Sequence, residues 1–421
     1  MNGNLIIKHA AELVTCSGFE AKKGREMSRL HIIHDGALVI EKGIITRVGA
    51  TDRTLSGLDL PSFTVIDAAG KAVLPGFIDP HTHFVFGGYR AEEFSWRLRG
   101  DSYMKIMERG GGIVNSVRAT RKAAKDELIR LGRKRLDTML SFGVTTVEGK
   151  SGYGLDHDAE IKQLEVMGEL DASHPVDVVR TFLGAHSVPG EYKDNKDGFI
   201  DYLISEVLPD VASKKLAEFC DVFCEKGVFS IEQSKLLLEK ARAYGLKLKI
   251  HADEMSMLGG AELAAGLRAT SADHLLYASD RGIEEMAKAG VVAVLLPGTA
   301  FSLKEPYARA RYMIDSGCAV ALATDFNPGS CFSESIPLMF ALATLYMGMT
   351  PEEAVTAFTI NAAGALGRAN TTGSLDAGKT GDAVILEFPS YQYIPYHIGM
   401  NSVEKVIKKG EVVVDGTKAE G

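Results

Sequence analysis

From about Val73 to Arg368 the chain alternates short apolar runs with longer helical stretches, and few architectures accept that rhythm. A strand that returns in parallel to the same sheet needs a crossover, most simply a helix, so the alternation signals βα units around a parallel sheet. Eight strand candidates can be placed. They are VLPGFID ending near His81, GVTTVE over Gly143–Glu148, VVRTFLGA ending near His186 and DVFCE over Asp221–Glu225, then LKLKIHA ending at Ala252, ATSADHL ending near His274, VVAVLLPG over Val291–Gly298 and VALATDF ending near Asp325. Helical stretches such as SIEQSKLLLEKARAYG and RGIEEMAKAG lie between most of them, each closed by Gly. Eight units over about 300 residues match the length of an α/β (β/α)8 TIM barrel. A doubly wound open sheet is the competing architecture, but the chain lacks an obvious nucleotide fingerprint.

The two ends read differently. From Asn4 to about Ile66, LIIKHAAELVT, LHIIHDGALVIEKGIITRVGA and FTVIDA are apolar, β-branched runs broken by turn residues, and DAVILEF and VEKVIKKGEVVVDG repeat the pattern from Gly381 onward. Residues 1–70 and 372–421 are therefore expected to form one small β-sandwich domain beside a barrel domain over 71–371.

Composition narrows the partners. The 421 residues carry a formal net charge of −8 with no basic run, which argues against nucleic acid. The five cysteines contain no C-x-x-C pair and give no disulfide framework, so a reducing compartment fits. The N-terminus interrupts its apolar run with polar residues and fails as a signal peptide. No apolar stretch reaches the roughly 20 residues that span a bilayer. A soluble cytoplasmic protein with a small-molecule partner and no membrane contact is the expectation.

In such a barrel, working residues sit at the C-terminal ends of strands. His81 and His83 follow the first strand as PHTH, and in extended chain residues two apart point the same way. His186, His251, His274 and Asp325 end the third, fifth, sixth and eighth strands. A lone His in such a place is more often a satisfied polar residue, and H-x-H alone is a weak signal. Five His and one Asp gathered at the ends of five strands are much harder to obtain by accident. Imidazoles with one carboxylate suit Zn2+, Fe2+ or similar ions, leaving a position for water. Glu254, in HADE after His251, is spaced to reach past a ligand as a proton shuttle, its bland alternative being a surface or cap glutamate. Asp325 could ligate the metal or accept a proton from the water. The remaining histidines (His9, His31, His34, His157, His174, His397) fall outside the pattern.

Two motif matches are rejected. GSLDAGKT, Gly373–Thr380, has the P-loop spacing, but a strand-like GDAVILEF follows where a helix would be needed. It reads as a turn entering the small sheet. Gly110-Gly111-Gly112 lacks dinucleotide spacing and follows no strand, so it reads as a flexible loop over the barrel mouth.

With these residues in hand, the chain resembles the amidohydrolase superfamily over nearly its whole length. The carrying motifs are PGFIDPHTH, HADE, ADHL, ATDFNPG and the closing NAAGALG with GSLDAGKTGDAVIL. HTHFVFGGYRAEEF, RGGGI, TTVEGKSGYGL, TFLGAHSVP and TDFNPGSC are similar to the branch that opens an imidazolone ring in histidine degradation. The resemblance implies hydrolysis of 4-imidazolone-5-propanoate to N-formimidoyl-L-glutamate. It implies a single metal ion, Zn2+ or Fe2+/Fe3+, held by His81, His83, His251 and Asp325. Arg90, Tyr153, His186, Glu254 and Ser330 match substrate-contacting positions, and Asn327 and Gly329 match positions that touch the ring-opened product. Catalysis would fall to Asp325 as proton acceptor, His274 as partner of the developing oxyanion and Glu254 as donor to the leaving nitrogen. Arg90 would pair with the substrate carboxylate. Binuclear relatives place a carboxylated lysine at the end of the fourth strand; here DVFCE ends it and only Lys226 follows, which favours one metal. A homodimer is common among such relatives, although no interface signal is readable. The rivals are a cyclic aminohydrolase for a nucleobase or pterin, and a metal-free scaffold of the same fold.

Overall fold

The computed structural model describes residues 3–101, 105 and 109–417. Its central sheet holds eight parallel strands in chain order: Phe77–Asp79, Val144–Lys150, Asp177–Ala185, Phe219–Cys224, Lys247–Ala252, Ser271–His274, Val292–Leu295 and Ala319–Leu322. Runs such as VAVL and AVAL are buried end to end, as strands covered on both faces must be. Helices fill the crossovers. Ser230 opens helix Ile231–Ala243 with a capping box through Gln233, and Gly290 ends helix Asp280–Ala289 in the left-handed conformation.

The eighth strand meets the first across a seam made largely by side chains. The Asp79 carboxylate accepts from the Thr324 N–H at 3.1 Å and the Thr324 hydroxyl at 2.5 Å. Just beyond, Asp325 N donates to His81 O and His83 N to Phe326 O, so the barrel closes at its C-terminal mouth.

One expected strand divides in two. VLPGFID was read as a single barrel strand, but Ala72–Pro75 pairs with Ala383–Leu386 and Glu12–Val14, and only Phe77–Asp79 joins the barrel. Gly76 makes the handover: a Cβ there would overlap the Thr145 side chain. The remaining end segments form two sheets. One joins Leu5–Ala10, Gly36–Glu41, Ile44–Ala50 and Thr64–Asp67; the other joins Glu12–Val14 and Ile32–Ile33 to Ala72–Pro75, Ala383–Leu386, Val403–Lys408 and Glu411–Asp415. Leu5, Leu38 and Ile40 from the first share an apolar core with Val73, Ile385 and Ile407 from the second.

The GSLDAGKT segment leads into strand Ala383–Leu386, and Lys379 closes the turn: its ammonium donates to Gly18 O (2.5 Å), Ala369 O (2.5 Å) and Ser374 Oγ (2.6 Å). No described helix is long and apolar enough to cross a membrane.

Candidate active site

His81, His83 and His251 converge at the barrel mouth. One nitrogen from each lies within 4.8 Å of the others, and all three side chains are buried. His81 Nδ1 faces Asp273 Oδ2 at 2.6 Å, which leaves Nε2 turned toward the cluster. His251 Nδ1 lies 2.9 Å from Asp221 Oδ2. His81 Nε2, His83 Nδ1 and His251 Nε2 are buried without a hydrogen-bond partner. Orphaned buried nitrogens cost about 1–3 kcal/mol each, and a bound cation removes that cost. Burial, reinforced by the nearby Lys150 ammonium, holds all three rings well below their ordinary pKa, so they are neutral, as ligands must be. Asp325 completes the set: Oδ1 lies 3.5 Å from His81 Nε2 and 3.7 Å from His83 Nε2, while Oδ2 accepts from the Thr299 hydroxyl at 2.5 Å. These residues fit a divalent ion.

Beneath the histidines lies a layer that the sequence reading did not single out. Lys150, on the second strand, places its ammonium 2.6 Å from Asp221, 3.3 Å from Asp273 and 3.1 Å from Glu148. Lys249 donates to Glu148 Oε2 at 2.6 Å and to Pro80 O at 3.0 Å. His81, Glu148 and Asp273 could group around a second ion, but the Lys150 ammonium already contacts both carboxylates. At the end of the fourth strand Lys226 is exposed, whereas buried Glu225 accepts the Met255 N–H at 2.8 Å and binds the Ser256 hydroxyl, fixing the loop that carries Glu254.

Glu254 lies 3.5 Å from His274 Nε2 with a side chain 16% exposed. Burial, added to by the Asp325 and Glu225 carboxylates, pushes its carboxyl up to about 8. Its neighbour Asp253 is spent on the loop, taking the N–H groups of Leu258, Gly259, Gly260 and Ala261. Burial lowers His274 to about 3 and His186 to about 4, and raises Asp325 to about 7. His274 and Asp325 adopt positive φ (77° and 50°), backbone strain of the kind that collects at working sites.

The other expected residues surround this cluster. His186 stacks on His83 with ring centroids 4.8 Å apart, and its Nδ1 faces Gly152 O. Tyr153 packs edge-on to both rings; burial raises its hydroxyl well above the ordinary value, so it stays a donor. Glu160 holds the Tyr153 loop by accepting from Gly152, Gly154 and Leu155 N–H. The Arg90 guanidinium lies on Gly329, where a Cβ would overlap Nη1. Ser330 Oγ accepts from Asn327 Nδ2 at 2.7 Å. The Asn327 amide is fully used within its own loop, donating to Asp325 O and Ser330 Oγ and accepting from Gly329 and Ser330 N–H. Gly111 and Gly112 are buried at the start of helix Ile113–Lys122, so this segment of the 110–112 run is built into the wall rather than standing free over the mouth. Of the remaining histidines, His9, His157 and His174 pair with carboxylates away from the cluster.

Comparison with known proteins follows the same outline. The amidohydrolase family profile matches residues 72–413. An imidazolonepropionase from Clostridium tetani is 61% identical over 98% of both chains, and one from Parabacteroides distasonis is 60% identical over 98% of this chain and 99% of that one. In fold, a triazine hydrolase from Arthobacter aurescens superposes with a TM-score of 0.73 at 17% identity, covering 99% of this chain and 95% of that one. A barrel of eight parallel strands, three converging imidazoles with one aspartate, and matches over nearly the full length agree: the chain belongs to the amidohydrolase family, among the imidazolonepropionases.

Proposed function

We propose that the protein hydrolyses 4-imidazolone-5-propanoate, a five-membered cyclic amide, to N-formimidoyl-L-glutamate. The observation that carries this reading is the joining, in one barrel mouth, of three imidazoles that each keep an unpartnered buried nitrogen with a guanidinium fork whose Nη groups bond no described residue. The first suits amide hydrolysis, and the second suits a substrate carboxylate.

One metal ion, Zn2+ or Fe2+/Fe3+, would be held by His81, His83, His251 and Asp325, and when bound it supplies Lewis-acid activation of water and of the ring carbonyl. Asp325 accepts the water proton at its carboxylate, which Thr299 orients from the far oxygen. His274, neutral near pH 7, is an N–H donor for the developing oxyanion. Glu254, still protonated near pH 7, passes its proton to the leaving ring nitrogen. Arg90 grips the propanoate, with Tyr153, His186 and Ser330 around the ring; Asn327 and Gly329 shape the loop that meets the product. The five cysteines are buried and free, which fits a reducing cytoplasm.

The test is incubation of metal-loaded protein with 4-imidazolone-5-propanoate, followed by mass spectrometry of the products. Gain of one water without ammonia is the expected result. Ammonia release, or no turnover, would reject the reading. Arg90→Lys should raise KM far more than it lowers kcat.

A further inference from the structure

We propose that Glu93 is a positioning residue that dictates which edge of Arg90 meets the substrate, anchored for that purpose by the glycine turn at 110–112. This rests on the reading above that Arg90 takes the substrate carboxylate.

An arginine can grip a carboxylate through Nε and one Nη, or through both Nη groups. Here the first mode is closed, because Arg90 Nε donates to Glu93 Oε2 at 2.7 Å. The second meets no hydrogen-bond partner among the described residues, with Nη1 packed over Gly329. The substrate carboxylate is therefore met end-on, with the eighth-strand loop setting the plane of the fork. Glu93 is itself held rigidly. The same Oε2 accepts the Gly112 N–H at 2.9 Å, and Oε1 accepts from Asn115 Nδ2 at 3.0 Å. Gly112 aims its N–H from φ 78°, ψ −163°, a conformation essentially reserved for glycine. Burial works against the Glu93 charge, but the bonds from Asn115, Gly112 and Arg90 outweigh it and hold the carboxyl below its ordinary range. The side chain is 7% exposed and too buried to reorient freely.

Charge and geometry predict opposite signs for Glu93→Gln. If Arg90 worked by net charge alone, removing a neighbouring anion would tighten carboxylate binding. If orientation matters, losing the charged clamp frees the fork and weakens it.

The experiment compares steady-state kinetics of wild type, Glu93→Gln, Asn115→Ala and Arg90→Lys on the propanoate substrate and on its propanamide analogue, with folding checked by circular dichroism. Glu93→Gln should raise KM for the propanoate about tenfold with kcat within about twofold, and Asn115→Ala should raise it by a smaller factor, as expected for loss of charge-assisted bonds. Neither should change KM for the propanamide. An unchanged or lowered KM in Glu93→Gln, beside a raised KM in Arg90→Lys, overturns the Glu93 role alone. An unchanged Arg90→Lys KM removes the carboxylate reading and this role together. Should Glu93→Gln fail to fold, an unchanged propanoate KM in folded Asn115→Ala overturns the proposal equally.

Discussion

Under His81 and His251 the barrel interior holds two lysines and three carboxylates, all fully buried and bonded to one another. Between the two sheets of the end segments the corresponding space holds Leu38, Ile40, Val73, Ile385 and Ile407. Both interiors are closed to solvent, yet they are held together by different means. Apolar packing is forgiving of identity and sensitive to volume. A buried ionic layer is the reverse: removing one partner leaves an uncompensated charge in a medium that cannot solvate it. The ionic layer sets Asp273 against Nδ1 of His81 at 2.6 Å and Asp221 against Nδ1 of His251 at 2.9 Å. Among the described residues, the apolar core includes no candidate ligand. One interior braces the candidate metal site; the other joins two sheets.

That contrast can be tested at several strengths. Asp325→Asn, at the top of the ionic side, should cut kcat by about 10²–10⁴-fold while the protein stays folded, since a proton acceptor is lost without loss of shape. Turnover near wild type in that variant would remove Asp325 from the scheme. Lys150→Met should cost about 3–5 kcal/mol in denaturant unfolding. It should also weaken metal binding by about 10–100-fold in chelator competition, because Asp221 and Asp273 lose the ammonium that holds them against His251 and His81. Ile385→Ala should cost about 2–5 kcal/mol but leave metal affinity where it was. Equal metal affinities in these last two variants would erase the distinction between the interiors. The smallest effect is one of pH. Glu254 must carry a proton to donate it, so kcat/KM should decline as pH rises through about 8, and Glu254→Gln should flatten that limb.

The barrel and the six strand-end groups were legible because strand ends are where βα barrels keep polar residues, and because His and Asp stand out in apolar runs. The ionic layer was not singled out, although its signal was present. Glu148 and Lys150, and Lys249 and His251, are each two apart on one strand, so each pair points to the same side. A lysine inside a strand is ordinarily taken as solvent-facing, and only the closed barrel shows that this side faces inward. Glu93 left little trace of its proposed role: its i,i+3 spacing from Arg90 reads as an ordinary helical ion pair, and Gly112 and Asn115 come from the start of a separate helix that only the fold brings alongside. The boundary at Gly76 is hidden because VLPGFID has no polar side chain before Asp79, and hydrophobic pattern alone does not reveal which sheet each half joins.

The pairing of Ala72–Pro75 with Ala383–Leu386 also sets a schedule for biosynthesis. At about 5–20 residues per second, the first partner leaves the ribosome roughly 15–60 s before the second exists. Through that interval the apolar faces of the early strands have no lid, and the small double sheet cannot close until almost the whole chain has been made. The barrel helices and strands, built from contacts between neighbours in sequence, can consolidate meanwhile. The end segments are thus expected to close last, and a nascent chain arrested shortly before Ala383 should hold a largely built barrel beside an open, adhesive N-terminal sheet.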